Sequence, residues 1–252
     1  MLLRRFMSHI RAENWFAVSL DLIVVVVGLF IGLQIDTWWE GRKDSRLEGE
    51  YLVEIREDFQ ENKLKLEDTI ARLEQILRSM LILQDQAALS EPTLPVPDLN
   101  QNFQQVFRMV AFVPIDRAFA NLTGSGELRL ISSRTLKSAL AEYYSAARVT
   151  ELVQQTHEME LVQIYEPYAI ENLDYSTVAI GHVDDFPLPP PINDAGILKQ
   201  ISGREFRNVL TQKWVISTDL LAQHRGMLAR TEEILEILDS LEGDNEPGSG
   251  GT

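Results

Sequence analysis

Leu22-Ile23-Val24-Val25-Val26-Val27-Gly28-Leu29-Phe30-Ile31-Gly32-Leu33 is an uninterrupted apolar run inside a stretch from Phe16 to Ile35 whose one acidic residue is Asp21. Crossing about 30 Å of hydrocarbon takes roughly 20 helical residues, more than Leu22–Leu33 supplies, so the spanning segment extends to include Asp21. Arg4 and Arg5 ahead of the run resemble the start of a secretory signal, but no small-x-small cleavage site follows it. The run exits instead through Gln34-Ile35-Asp36-Thr37-Trp38-Trp39. Paired tryptophans at that position suit an interfacial aromatic belt, with Trp15 as the anchor on the other side. The reading is an uncleaved signal anchor, with 1–14 as a cytoplasmic tail and 15–37 as the transmembrane helix.

Orientation rests on length. Arg4, Arg5 and Arg11 precede the span, and Arg42, Lys43 and Arg46 follow it. Basic counts therefore do not decide, but a short tail stays inside while a long domain is exported. The expectation is a single-pass protein of a bacterial inner membrane, N-terminus cytoplasmic and C-terminal domain periplasmic, in contact with membrane lipids.

The span carries more than an anchor requires. Gly28 and Gly32 form a GxxxG motif, which strips side chains from one face so that a second helix can approach closely. Asp21 precedes Gly28 by seven residues, hence nearly two turns, and Val25 falls on the same face. A carboxylate at bilayer depth faces a protein partner or a wet cavity, because lipid exposure of the charge is costly. Asp21, Val25, Gly28 and Gly32 are thus the expected helix–helix contact in the membrane.

The remaining chain, 38–242, reads as one soluble helical domain. It holds most of 38 acidic and 23 basic residues, net charge −15. That balance argues against nucleic acid, whose phosphates need clustered Lys and Arg. The chain has no cysteine, which excludes disulfides, thiolate-ligated metals and thiol catalysis. From Lys43 to Gln84 apolar residues recur at three, four and seven, predicting a stalk helix continuous with the span. Ser90–Pro97 breaks it. Short helices are expected over Asn100–Val113 and Ile115–Leu122, then a turn at Thr123-Gly124-Ser125-Gly126. A third long element opens at Ser133 as N-cap and runs toward Tyr165, with Pro167 as its end or a kink. Gly181–Asp194 reads as an extended loop, with a polyproline stretch at Pro187–Pro190, and Ser176–His182 as a short extended piece. A fourth element covers Gly203–Leu241, with Leu220, His224, Met227, Thr231, Ile234, Leu238 and Leu241 as a heptad seam. The tail 243–252, rich in Gly, Ser and acid, is expected to be disordered. The fold class is all-α: a transmembrane helix continuing into a long stalk, and an up-down bundle of about three long helices plus two short ones.

Catalytic and metal signals are weak. His9, His157, His182 and His224 lie in no two-histidine motif, and the Glu-x-x-His pairs of a bundle di-iron site are missing. His157 beside Glu158 and Glu160 reads as a solvated helix face, His182 beside Asp184 and Asp185 as loop charge, and His224 as a core histidine. Thr123–Gly126 is neither a P-loop nor a nucleophile elbow. The reading is of no enzyme, no catalytic residue, no metal and no cofactor.

Two stretches, Gly32-Leu33-Gln34-Ile35-Asp36-Thr37-Trp38-Trp39-Glu40-Gly41-Arg42-Lys43 and Phe119-Ala120-Asn121-Leu122-Thr123-Gly124-Ser125-Gly126-Glu127-Leu128-Arg129-Leu130-Ile131, resemble a widespread family of uncharacterised bacterial single-pass membrane proteins. The resemblance implies architecture and no activity; an acidic residue near the Asp21 position is similar to what that family carries. The functional expectation is a non-enzymatic accessory or scaffold subunit of a larger inner-membrane complex, respiratory, photosynthetic or transport, docking on other membrane-protein subunits and covering the exported face. The alternatives are a self-associating homo-oligomeric anchor, and a membrane-tethered hydrolase using Asp184, Asp185 and Asp194.

Overall fold

The structure, a computed structural model, describes residues 15–179, 189–190 and 196–245; the side chains of 15–18, 21, 35–37 and 244–245 are outside that description. The expectations for the tail 1–14, His9, the stretch around His182, Asp184, Asp185 and Asp194, the Pro187–Pro190 stretch up to Leu188, and residues 246–252 lie outside the described residues.

The class is all-α, as the apolar periodicities require. Helix α1, Trp15–Ala87, is one continuous element, so the apolar run and the amphipathic stalk share a helix. After it come α2 (Val96–Gln104), a 3-10 turn (Gln105–Phe107), α3 (Arg117–Gly124), a second 3-10 turn (Glu127–Leu130) and α4 (Arg134–Glu160). A π-turn (Leu161–Tyr165), α5 (Glu166–Asn172), α6 (Tyr175–Val178), α7 (Gly196–Gln200) and α8 (Arg204–Asn245) complete the order. Two compact units divide this chain: residues up to 53 with 129–132, and 54–128 with 133 onward.

In the first unit the apolar run is bare: Leu22, Ile23, Val24, Val25 and their neighbours to Leu33 are all exposed, Val26 least at 46%. It is the one helix among the described residues long and apolar enough to cross a membrane. Beyond it, Arg46 pairs with Glu50 at 3.0 Å, and the Ser132 amide donates to Glu48 Oε1 at 2.6 Å.

The second unit is a bundle of α1 from Glu54 onward, α4 and α8. Arg56 pairs with Asp239 and Glu242, Lys63 with Glu232, and Arg225 with Glu74. As α1 numbers rise, α8 numbers fall, so these helices are antiparallel. The Phe59 and Tyr143 rings meet at a tilt, 4.7 Å between centroids, while further along Val153 packs with Leu73 and Leu77; α1 and α4 therefore run the same way. Up-down alternation holds between α8 and each of the other two. The parallel α1–α4 pair needs a return path, which residues 88–133 provide.

That return path is where helix reading failed. The helix expected over Asn100–Val113 begins at Val96, with Pro97 in its first turn where a missing N–H costs no bond, and it ends with the 3-10 turn at Phe107. Residues 108–116 leave the helix, with Arg108 extended at φ −68°, ψ 131°, and over 110–113 Val110 and Phe112 are buried while Ala111 and Val113 are exposed, the period-two alternation of an extended segment. Their main chain is bonded by side chains from the helices. Asn62 accepts from Ile115 N at 2.7 Å and donates to Ile115 O at 2.9 Å. Gln154 does the same for Phe112, at 2.7 and 3.2 Å. An extended buried segment must place its amides somewhere, and here two carboxamides replace a partner strand.

Local signals elsewhere did fix element ends. Ser133 Oγ accepts from Leu136 N at 3.2 Å and caps α4. Pro167 cannot donate to the helix ladder, and the chain widens into the π-turn just before it, so the helix continues to Asn172 rather than stopping. Gly126, at φ +73°, takes the left-handed conformation that closes the turn after α3. Ser176 lies in the short helix α6 rather than in an extended piece. Helix α8 runs through Gly243 to Asn245, past the boundary expected at 242.

Candidate functional site

Two groupings stand out, one in each unit. On α1 the spacings of four, three and four between Asp21, Val25, Gly28 and Gly32 keep all four on one helix face. Val25 is 68% exposed, and a Cβ added at Gly28 or Gly32 would meet nothing within 4 Å. Trp38 and Trp39 are exposed, meet edge to face at 5.6 Å, and Arg42 lies over the Trp38 ring at 5.5 Å. An aromatic pair with a cation stacked on it suits the boundary between hydrocarbon and water. Of Trp15 and Asp21 the structure gives only their place in α1.

The second grouping is a polar seam buried between α4 and α8. Phe206, Leu210, Lys213, Ser217, Leu220, His224, Met227 and Thr231 alternate by four and three, and all are buried. The heptad seam expected from Leu220 onward thus begins two heptads, about four turns, earlier. Facing it, Leu140, Tyr143, Thr150, Gln154 and His157 are the buried side of α4. His157 is 1% exposed, which corrects its reading as solvated helix charge. It occupies the inward position three after Gln154 and seven after Thr150, a signal present in the sequence but masked by the flanking Glu158 and Glu160.

Lys213, fully buried, contacts His157 Nε2, donates to Arg108 O at 3.2 Å and lies over the Tyr165 ring at 5.2 Å. Tyr165 in turn donates to Glu160 at 3.2 Å. Burial pulls the Lys213 amine down to about 7, with the nearby Glu160 charge acting against it. Burial, and then the Lys213 charge, push His157 down to about 3, so it stays neutral and its Nε2 accepts from the amine. Its Nδ1 has no partner among the described residues. His224 is a core histidine as expected: Nε2 donates to Gln154 Oε1 at 3.1 Å, burial lowers it to about 4, and its Nδ1 is likewise without a described partner. One lysine thereby ties α8, α4 and the extended segment together.

Asp58, also buried, receives Arg117 Nε at 2.9 Å and the Ala118 amide at 2.9 Å. It caps the start of α3 from another helix, a task the adjacent Asp116 side chain does not perform. Among the described residues no group of three or more His, Asp or Glu side chains is arranged to hold a metal ion. Asp58, Asn62, Gln154 and Lys213 were absent from the sequence reading, because hydropathy places such residues outside.

Set against known protein families, curated proteins and solved structures, the chain gives no significant match to any of them.

Proposed function

We propose that this chain is a non-enzymatic accessory or scaffold subunit of a bacterial inner-membrane complex, anchored by α1 with its N-terminus cytoplasmic and its bundle on the periplasmic side. The observation that carries this reading is the bare apolar stretch Leu22–Leu33, which lies on the same helix as the stalk and is exposed along its length among the described residues. The face of Asp21, Val25, Gly28 and Gly32 supports docking against partner helices, since its glycines leave room for close approach. Orientation is supported by the length of the domain that follows the span, since long domains translocate. The resemblance to bacterial single-pass proteins supports the compartment.

Purification in mild detergent followed by native mass measurement tests it. A stable hetero-complex is the expected result, and a lone monomer at every detergent concentration defeats it. A homo-oligomer would favour the alternative, a self-associating anchor, which the same open glycine face also supports.

A further inference from the structure

A groove of about 420 Å³ lies between α1 and the start of the extended segment, within the size range of small-molecule sites. Its lining includes Arg72, Gln75 and Ile76 from α1, and Gln105, Arg108 and Val110 from the return path. No carboxylate lines it, in a chain of net charge −15. By contrast, the groove beside α3 is lined by Asp116 and Glu151 as well as Arg148.

Arg72 already pairs with Asp68 at 2.8 Å. The Arg108 guanidinium is different. It makes no ion pair among the described residues, although its main chain is held firmly: the carbonyl accepts from buried Lys213, and the amide donates to Gln105 O at 3.1 Å. A cation fixed at its root and free at its head, with a carboxamide beside it and a second carboxamide and guanidinium from α1 lining the same groove, is a donor set for an oxyanion. The buried Ile76 and Val110, one from each side, give the groove an apolar floor.

We propose that this groove binds a small organic anion, a phosphate or carboxylate head on a short apolar body, with Arg108 as its principal charge and Arg72, Gln75 and Gln105 as further donors. The apolar floor favours an anion with a hydrocarbon part over a bare one.

The test is calorimetric titration of the full chain, held in phosphatidylcholine nanodiscs, with phenyl phosphate and with inorganic phosphate. The expected result is a phenyl phosphate Kd below about 1 mM, weaker binding of inorganic phosphate, and at least a roughly tenfold loss for Arg108→Gln. Arg72→Gln should lose less, because Asp68 already shares that charge. Arg78→Gln, whose partner Glu74 is outside the groove lining, should bind as the unaltered chain does. Repeating the titration in phosphatidylglycerol nanodiscs separates sources: lost uptake of phenyl phosphate assigns the groove to a lipid headgroup, retained uptake to a soluble anion. No binding up to about 10 mM, or equal binding by an Arg108→Gln chain with unchanged circular dichroism, overturns the proposal.

Discussion

Gln154 holds Phe112 by both ends of its peptide unit, accepting from the amide at 2.7 Å and donating to the carbonyl at 3.2 Å. The same Gln154 oxygen accepts from His224 Nε2. One carboxamide on α4 thus joins α8 to the extended segment that makes a parallel α1–α4 pair feasible.

Gln154→Leu keeps most of the volume but leaves the Phe112 amide and carbonyl and the His224 Nε2 proton buried without partners. Each such group costs about 1–3 kcal/mol, so a loss of about 3 kcal/mol is expected. A lower urea midpoint at unchanged slope, with faster hydrogen exchange at Phe112, would show it. A change under about 0.5 kcal/mol would mean the segment is held by packing alone.

Asp58 presents a buried carboxylate to Arg117 and to the first turn of α3. Asp58→Ala strands the Ala118 amide and should cost about 2 kcal/mol. Asp58→Asn keeps an acceptor for that amide and should cost about half as much. Equal losses in the two variants would place the effect in the charge pair rather than in the cap; denaturant titration distinguishes them.

Acid should loosen the α4–α8 seam in a defined window. His157 and His224 have folded values of about 3 and about 4, below the ordinary 6.5. A depressed value means that the unfolded chain takes up protons first, so the stability is fully present above 6.5 and is lost as pH falls through these folded values. Lys213, depressed to about 7 from 10.5, acts in the same sense at higher pH. Its contribution is complete above 10.5 and falls away toward 7. The difference in urea midpoint between the unaltered chain and Lys213→Met should therefore change steadily between about pH 7 and 9.5, below the onset of tyrosine ionisation. A constant difference across that range would show Lys213 to be hydrated.

Gly28→Ile adds bulk to the open face of α1, at a position where an added Cβ meets no neighbouring group within 4 Å. The bundle's thermal unfolding should stay unchanged. Co-purification with the partner, or cross-linking between copies if the anchor self-associates, should drop about tenfold, the equivalent of roughly 1.4 kcal/mol. Undiminished association would move the contact surface to another face.

Much of this fold was legible in the chain. The apolar run, the three- and four-residue periodicity of α1, Ser133 ahead of α4, Pro167 and the seam from Leu220 to Leu238 are local patterns, and local hydrogen bonding and one-sided burial turn each directly into a helix, a cap or a π-turn. The open face of Gly28 and Gly32 follows from spacing in the same way. What spacing could not supply was the path between α1 and α4. Met109-Val110-Ala111-Phe112-Val113 is apolar enough for either helix or strand, and only Asn62 and Gln154, 53 and 42 residues away in sequence, decide for an extended chain by bonding its amides. Lys213 was overlooked and His157 misplaced for a related reason. Their types favour water, and only the convergence of α4, α8 and the Arg108 carbonyl makes a buried amine tolerable there. The sequence by itself determined that a helix long and apolar enough to cross a membrane carries an all-α body. The tertiary structure alone decided the direction of α4, because that depends on polar groups distant in the chain satisfying one another away from water.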